Sequence, residues 1–168
     1  MAGDIKECQQ TASWMLAQVA ALHSPTDTSV WVFTDTDRVD AWDWMKWLPH
    51  ARTSDDHPRP VQLAFDDQNR SSMISELNGI MAQRRELDGD QRAGLPALVV
   101  VLDGARELRM APGMISLLKS GPSVKIHFIC LDLTVRQLPE ECRSVIEVSG
   151  DLLNLETTAE QHLDGVRR

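Results

Sequence analysis

The residues best placed to do chemistry are aspartates that close apolar runs. Ala97 to Asp103 (ALVVVLD) is unbroken apolar sequence ended by a carboxylate, and Gly104 follows it. A carboxylate at the end of a strand covered on both faces can hold Mg²⁺, or its water, against a nucleotide's phosphates, as a Walker-B aspartate does. Aspartate also caps the turn after a strand, and both readings of Asp103 stand. Asp35, Asp66, Asp67 and Asp132 close three further β-like runs in the same way. Ligands of open parallel sheets bind outside the carboxyl ends of the strands. Asp35, Asp103, Gly104 and Asp132 are therefore the first candidates for a nucleotide and Mg²⁺.

The phosphate-binding loop that should accompany such a carboxylate, G-x-x-x-x-G-K-[ST], occurs nowhere in the chain. With the segment before the first helix set in its register, Gly3 matches the first glycine. Cys8, Gln9 and Gln10 then stand where glycine, lysine and serine or threonine belong. Close backbone approach, the phosphate-facing ammonium and the Mg²⁺-binding hydroxyl are all missing. Lys6 can offer a charge from the first helical turn, or be an ordinary exposed lysine. Gly104 stands where a hydrolysing ATPase often has a glutamate to orient water. Cofactor expectations thus reach no further than ATP with Mg²⁺ as an open possibility, with no catalytic residue assigned.

Other chemistries find less support. The histidines (His23, His50, His57, His127, His162) lack metal-ligand spacing, and no metal site is expected. No G-x-S-x-G elbow is present. Cys8, Cys130 and Cys142 are odd in number and not spaced for zinc, so they read as reduced thiols. The acidic groups Asp35/Asp37/Asp40/Asp43 and Asp55/Asp56 read as solvated faces and caps. Trp42, Trp44 and Trp47 crowd one short segment, in which Trp44 and Trp47 share a face and Trp42 points elsewhere. They are core packing or interface anchors, tryptophan being enriched at hot spots.

The elements that position these residues follow from periodicity. Ile5, Cys8, Ala12, Met15, Leu16, Val19 and Leu22 make one stripe of a helix over 4–22. Residues 29–34 (SVWVFT) predict a strand, and a helix capped by Thr36 follows over about 37–48. After a polar loop, 60–65 (PVQLAF) predicts a strand and 67–87 a helix capped by Asp66. A loop over 88–96, the strand 97–103, a helix at about 107–119 and a strand over 124–132 complete the pattern. Ser144–Val148 and Leu152–Glu156, around Ser149-Gly150-Asp151, predict a terminal hairpin. Alternation of this kind gives an α/β fold, an open, mostly parallel sheet with helices on both faces, in the manner of P-loop or Rossmann proteins. The first helix lacks a preceding strand. Either that strand lies outside the sequence or Met1 to Gly3 supply a stub.

With 168 residues the chain suits one domain. A net charge of −8 argues against a nucleic-acid surface and against docking on anionic lipid. No apolar run approaches the roughly 20 residues of a membrane span, and no signal peptide is evident, so a cytoplasmic location is expected.

WMLAQVAALHSP, WDWMKWLPH, PALVVVLDG and LPEECRSVIEVSGD resemble, in the same order, a region of the EccC family. These are FtsK/SpoIIIE-type motors of type VII (ESX) secretion, and the likeness runs from about Thr11 to Arg168, closing on LDGVRR. The matching region lies between the membrane stalk and the first full ATPase domain. The resemblance implies a nucleotide-hydrolase fold, a position under the cell membrane, and a hexameric parent that hydrolyses ATP to move WXG100-type substrates. Implied partners are the stalk and ATPase domains of the same chain, other secretion subunits and further copies. Only Asp103 maps onto a Walker-B-like position. A coupling or interaction domain, 1–168, excised from such a motor is the leading expectation. A divergent but active ATP-binding domain is the alternative, and a flavodoxin-like regulator with acceptor aspartates at Asp35 and Asp103 is a third. An unpaired sheet edge or the Trp surface predicts self-association.

Overall fold

The computed structural model describes residues 1–52, 61–149 and 152–157. Asp55, Asp56, His57, His162, the LDGVRR end and the Gly150-Asp151 turn lie outside the described residues.

The chain opens with a two-residue strand, β1 (Ala2–Gly3), and enters helix α1 (Ile5–Leu22) after the single residue Asp4. Of the predicted stripe, Cys8, Ala12 and Leu16 are fully buried, but Leu22, the last residue of the helix, is 77% exposed. Strand β2 (Thr28–Phe33) follows. Where a helix was predicted over 37–48, the chain makes 3₁₀ turns at Val39–Trp47 and Pro49–Ala51, and Arg38 rather than Thr36 precedes them. A repeat of three residues per turn stacks Val39, Trp42, Met45 and Leu48 in one row. Trp42 and Met45 in that row are fully buried.

Strand β3 covers only Leu63–Ala64, not all of 60–65. Among the described residues it is an edge strand, paired with β2. Helix α2 (Asp67–Glu86) matches its prediction, with Asp66 accepting from the Asn69 amide at 2.8 Å. The predicted loop over 88–96 contains a short helix, α3 (Gly89–Ala93), closed by a capping box between Asp88 and Gln91. Strand β4 (Ala97–Asp103) has its predicted bounds. The helix predicted over 107–119 is two pieces, α4 (Ala105–Arg109) and α5 (Met114–Ser120). Between them Pro112 lacks an amide hydrogen and Gly113 takes φ 87°, so the first ladder cannot continue. Strand β5 (Ile126–Leu131) and the antiparallel pair β6 (Ser144–Ser149) and β7 (Leu152–Thr157) end the described chain.

Four strands lie parallel in the order β3-β2-β4-β5, and three more in the order β1-β6-β7. A parallel bridge between Ala2 and Asp132 joins the groups, with the Asp132 amide bonded to the Met1 carbonyl and the Gly3 amide to the Asp132 carbonyl. The row thus reads β3-β2-β4-β5-β1-β6-β7. The predicted first strand is the stub Met1–Gly3, set between β5 and β6.

Pleating sorts the side chains onto two faces. Trp31, Phe33, Leu98, Val100, Leu102, Ile126 and Cys130 pack under α2, α4 and α5. Val30, Val32, Val101 and Leu131 pack under α1 and the 3₁₀ row. Asp103 has the parity of Val101 and therefore points toward α1 and the 3₁₀ row.

Candidate functional site

Asp103 is fully buried at the carboxyl end of β4. Its Oδ2 accepts three hydrogen bonds, from Gln9 Nε2 at 2.8 Å, Thr34 Oγ1 at 2.9 Å and Trp42 Nε1 at 2.9 Å. Each donor is delivered by a different element. Thr34 continues β2 beside β4, Gln9 comes from the second turn of α1, and Trp42 from the buried 3₁₀ row. Oδ1 makes no hydrogen bond but faces Arg38 Nη1 at 3.5 Å. Hydrogen bonds to a charged acceptor are the stronger kind, and a buried carboxylate needs them.

Arg38 lies across the strand end. It is paired with Asp35 as well as with Asp103. Burial alone would lower its pKa, but the charge of Asp103 and the bond to Asp35 outweigh this and raise it. The guanidinium rests on Gly104, where an added Cβ would sit 2.6 Å from Nη2. Gly104 also has φ 95°, so glycine is required there twice over. Arg70, from the first turn of α2, takes the other oxygen of Asp35. Its Nε donates to the Thr34 carbonyl at 3.1 Å and its Nη2 to the Phe65 carbonyl at 3.3 Å. Asp35 and Asp103 are therefore brought together, each faced by a guanidinium.

The other sequence candidates lie elsewhere. Asp132 is on the opposite side of the pleat, where its Oδ2 accepts from the Arg106 amide at 2.9 Å and tethers the start of α4. Gly3 has φ 146°, and an added Cβ would sit 2.1 Å from the Val148 carbonyl oxygen. It lets β1 pass close to β6 and takes no part in the Asp103 cluster. Lys6 is exposed and lines a shallow groove with Gln10, Ser13, Ala17, Ala41 and Trp44. Trp44 is half-buried, and Trp47 is 76% exposed with the Lys46 ammonium over its ring. Trp42, by contrast, is wholly interior.

Arg38 and Arg70 are the functional-site residues that sequence reasoning passed over, and Gln9 was named only as standing in the place of the phosphate-loop lysine. Signals pointed to Arg38 and Gln9 but not to Arg70. Arg38 stands three residues after Asp35, and Gln9 interrupts an apolar stripe beside Cys8.

A Mg²⁺-bound nucleotide does not fit these residues. The oxygen of Asp103 that a metal would need is saturated or faces Arg38. The link from β1 to α1 is Asp4 alone, and the Asp4 carboxylate already accepts from the amides of Lys6 at 3.0 Å and Glu7 at 3.2 Å. Those amides are the donors that a helix start offers a phosphate. The cleft beyond β1 is lined by Asp4, Glu7 and Glu147 against one guanidinium, Arg136. That is an acidic surface. Among the described residues no cluster of His, Cys, Asp or Glu is arranged to hold a metal ion, and no helix is long and apolar enough to cross a membrane.

No protein-family model matches the chain. The ESX secretion system protein EccC of Thermomonospora curvata is 31% identical over 108 residues, which is 62% of this chain and 8% of that protein. EccC of Geobacillus thermodenitrificans is 25% identical over 89 residues, 52% of this chain and 6% of its own length. The chain thus spans less than a tenth of these curated relatives. Among solved structures, EssC (ATPases 2 and 3) of G. thermodenitrificans superposes with a TM-score of 0.64 at 20% identity, covering 83% of this chain and 29% of that one. The cytoplasmic domain of the T. curvata type VII secretion ATPase EccC gives 0.65 at 16% identity, covering 84% of this chain and 18% of that one. T. curvata EccC (ATPases 2 and 3) in complex with a signal sequence peptide gives 0.55 at 16%, covering 89% and 28%. The parallel α/β, P-loop-like fold is that of EccC and EssC ATPase domains, and the sequence match is to one short part of the EccC proteins.

Proposed function

We propose that the chain is a cytoplasmic coupling and interaction domain of a type VII secretion motor, one that keeps the nucleotide-hydrolase fold without a working phosphate-binding loop. One observation carries this reading. The Walker-B-like Asp103 has three protein donors on one oxygen and Arg38 facing the other. The carboxylate is committed to holding α1, β2 and the 3₁₀ row together. Such a hub makes the strand ends rigid, which suits a domain that transmits motion between neighbours. Its partners on this reading are adjacent ATPase domains of the same chain, and the exposed Trp47 and half-buried Trp44 offer an anchor of the type found at interface hot spots.

Calorimetric titration with Mg·ATP and Mg·ADP tests the site. No heat is expected at millimolar nucleotide. Binding by the chain that disappears in Asp103→Ala would overturn the proposal and favour the alternative of a divergent, active ATP-binding domain. The position of Asp103 at the end of a central parallel strand is what keeps that alternative in view. For the interface, Trp44→Ala and Trp47→Ala in the parent motor should weaken assembly and secretion. Normal secretion by the double variant would remove the anchor role.

A further inference from the structure

Two thiols that the site does not use meet on the other face of the sheet. Cys130 is the fifth residue of β5 and 4% exposed. Cys142 lies two residues before β6 and is half-buried against the same apolar cluster. Both line a cavity of about 450 Å³ together with Met15, Phe128 and Glu141. Each thiol shifts the other's titration, Cys130 upward and Cys142 downward. Cys8 is fully buried on the opposite face, packed with Val32 and Trp42. The sheet itself separates it from the pair.

We propose that Cys130 and Cys142 form a reversible intramolecular disulfide, with a low-molecular-weight disulfide as the oxidant. Cys142 is the attacking group. It is the more accessible of the two, and its interaction with Cys130 lowers its pKa to about 7 against the opposing effect of burial. Its thiolate attacks one sulfur of the oxidant and expels the other as a thiolate, leaving a mixed disulfide on Cys142. Cys130 then gives up its proton and attacks the Cys142 sulfur, expelling the second small thiolate. Two protein thiols are oxidised and one external disulfide is reduced to two thiols. The interaction with Cys142, and then burial, raise the pKa of Cys130, which suits a resolving thiol that reacts only once its partner is activated.

The bond would have a structural effect. Strand β1 lies between β5 and β6. A link from Cys130 to Cys142 ties the flanking strands together across one end of that slot and fixes the 132–141 connection, whose Leu133 to Arg136 line the cleft beyond β1.

The test treats the 168-residue chain with glutathione disulfide, then alkylates under denaturing conditions and measures intact mass. Alkylated thiols should fall from three to one. A tryptic map should show peptide 126–136 joined to peptide 137–143, with Cys8 alkylated. Cys130→Ala should stop at a glutathione adduct on Cys142, Cys142→Ser should form no bridge, and Cys8→Ser should behave as the parent. Three free thiols after treatment, a bridge to Cys8, or a bridge between two chains would each overturn the proposal. The map of the unsubstituted chain decides the matter even if a variant does not fold.

Discussion

Replacing Asp103 with alanine separates a structural carboxylate from one kept for a ligand. The change leaves Gln9 Nε2, Thr34 Oγ1 and Trp42 Nε1 without their acceptor, in a place where Thr34 and Trp42 are fully buried and Gln9 is 7% exposed. A buried donor left unpaired costs about 1–3 kcal/mol. The three share one oxygen, so their losses do not add. Arg38 has 24% side-chain exposure and keeps Asp35, so its stranded charge regains solvent and adds little. The expected loss is about 3–5 kcal/mol, more than one unpaired buried donor costs and less than the sum of three. With an m-value of about 2 kcal/mol/M, the urea midpoint should fall by about 1.5–2.5 M, read from tryptophan fluorescence and far-ultraviolet circular dichroism together. Asp103→Asn keeps one acceptor oxygen but sets an amide against donors, and should lose about 2–3 kcal/mol. A carboxylate held in place for a ligand behaves in the opposite way, since removing functional strain often leaves stability unchanged or raises it. A midpoint for Asp103→Ala equal to or above that of the parent would refute the hub argument.

Gly104→Ala meets both a positive φ and the Arg38 guanidinium. It should cost about 1–3 kcal/mol in a thermal melt, and Arg38→Ala should relieve part of that in the double variant. Gly3→Ala drives a Cβ into the Val148 carbonyl oxygen and should expel β1, seen as faster amide exchange at Asp132 and along β6. The bond from Arg109 holds the Glu141 carboxyl below its usual value of 4.5. The unfolded chain therefore binds the proton first as pH falls, and stability from this pair is present above that value and is lost on acidification below it. Arg109→Met should flatten the dependence of unfolding free energy on pH in that range, measured by urea titration.

What the sequence disclosed depended on how strongly each segment was constrained. The unbroken apolar run of β4 and the long stripe of α2, with Asp66 before it, were read with their bounds because burial allowed no other pattern. The 3₁₀ row was read as an α-helix from Thr36 as a cap and from Trp44 and Trp47 on one face, because three-residue spacing is common to both helices. Only the packing of Trp42 and Met45 against the sheet settles the tighter winding. β1 has two residues, too few to carry any period. It was recoverable only from the need of α1 for a preceding strand. Asp103 was found from its place at a strand end. Arg38, Gln9 and Trp42 were not linked to it, because their convergence is produced by the register of β2 on β4 and by the parity of the pleat. Neither is local in sequence.

The placement of β1 also sets an order for building the molecule. The strands β2, β4 and β5 are consecutive in the sheet, and their pairing involves only residues between Thr28 and Leu131. The β6–β7 hairpin likewise closes on itself. Among the described residues neither set of strands pairs with the other. They are joined through Met1 to Gly3, whose ladder partners are Asp132, Glu147 and Val148. This early segment is thus the last of the sheet that can find its place, since both walls of its slot are made from residues about 130 positions later. Until then β5 and β6 each present an unpaired edge, and a short extended strand from another molecule meets the same backbone donors and acceptors. The seam of this sheet is a keystone set by three residues, and molecules caught before it closes are the ones that would exchange their first strands.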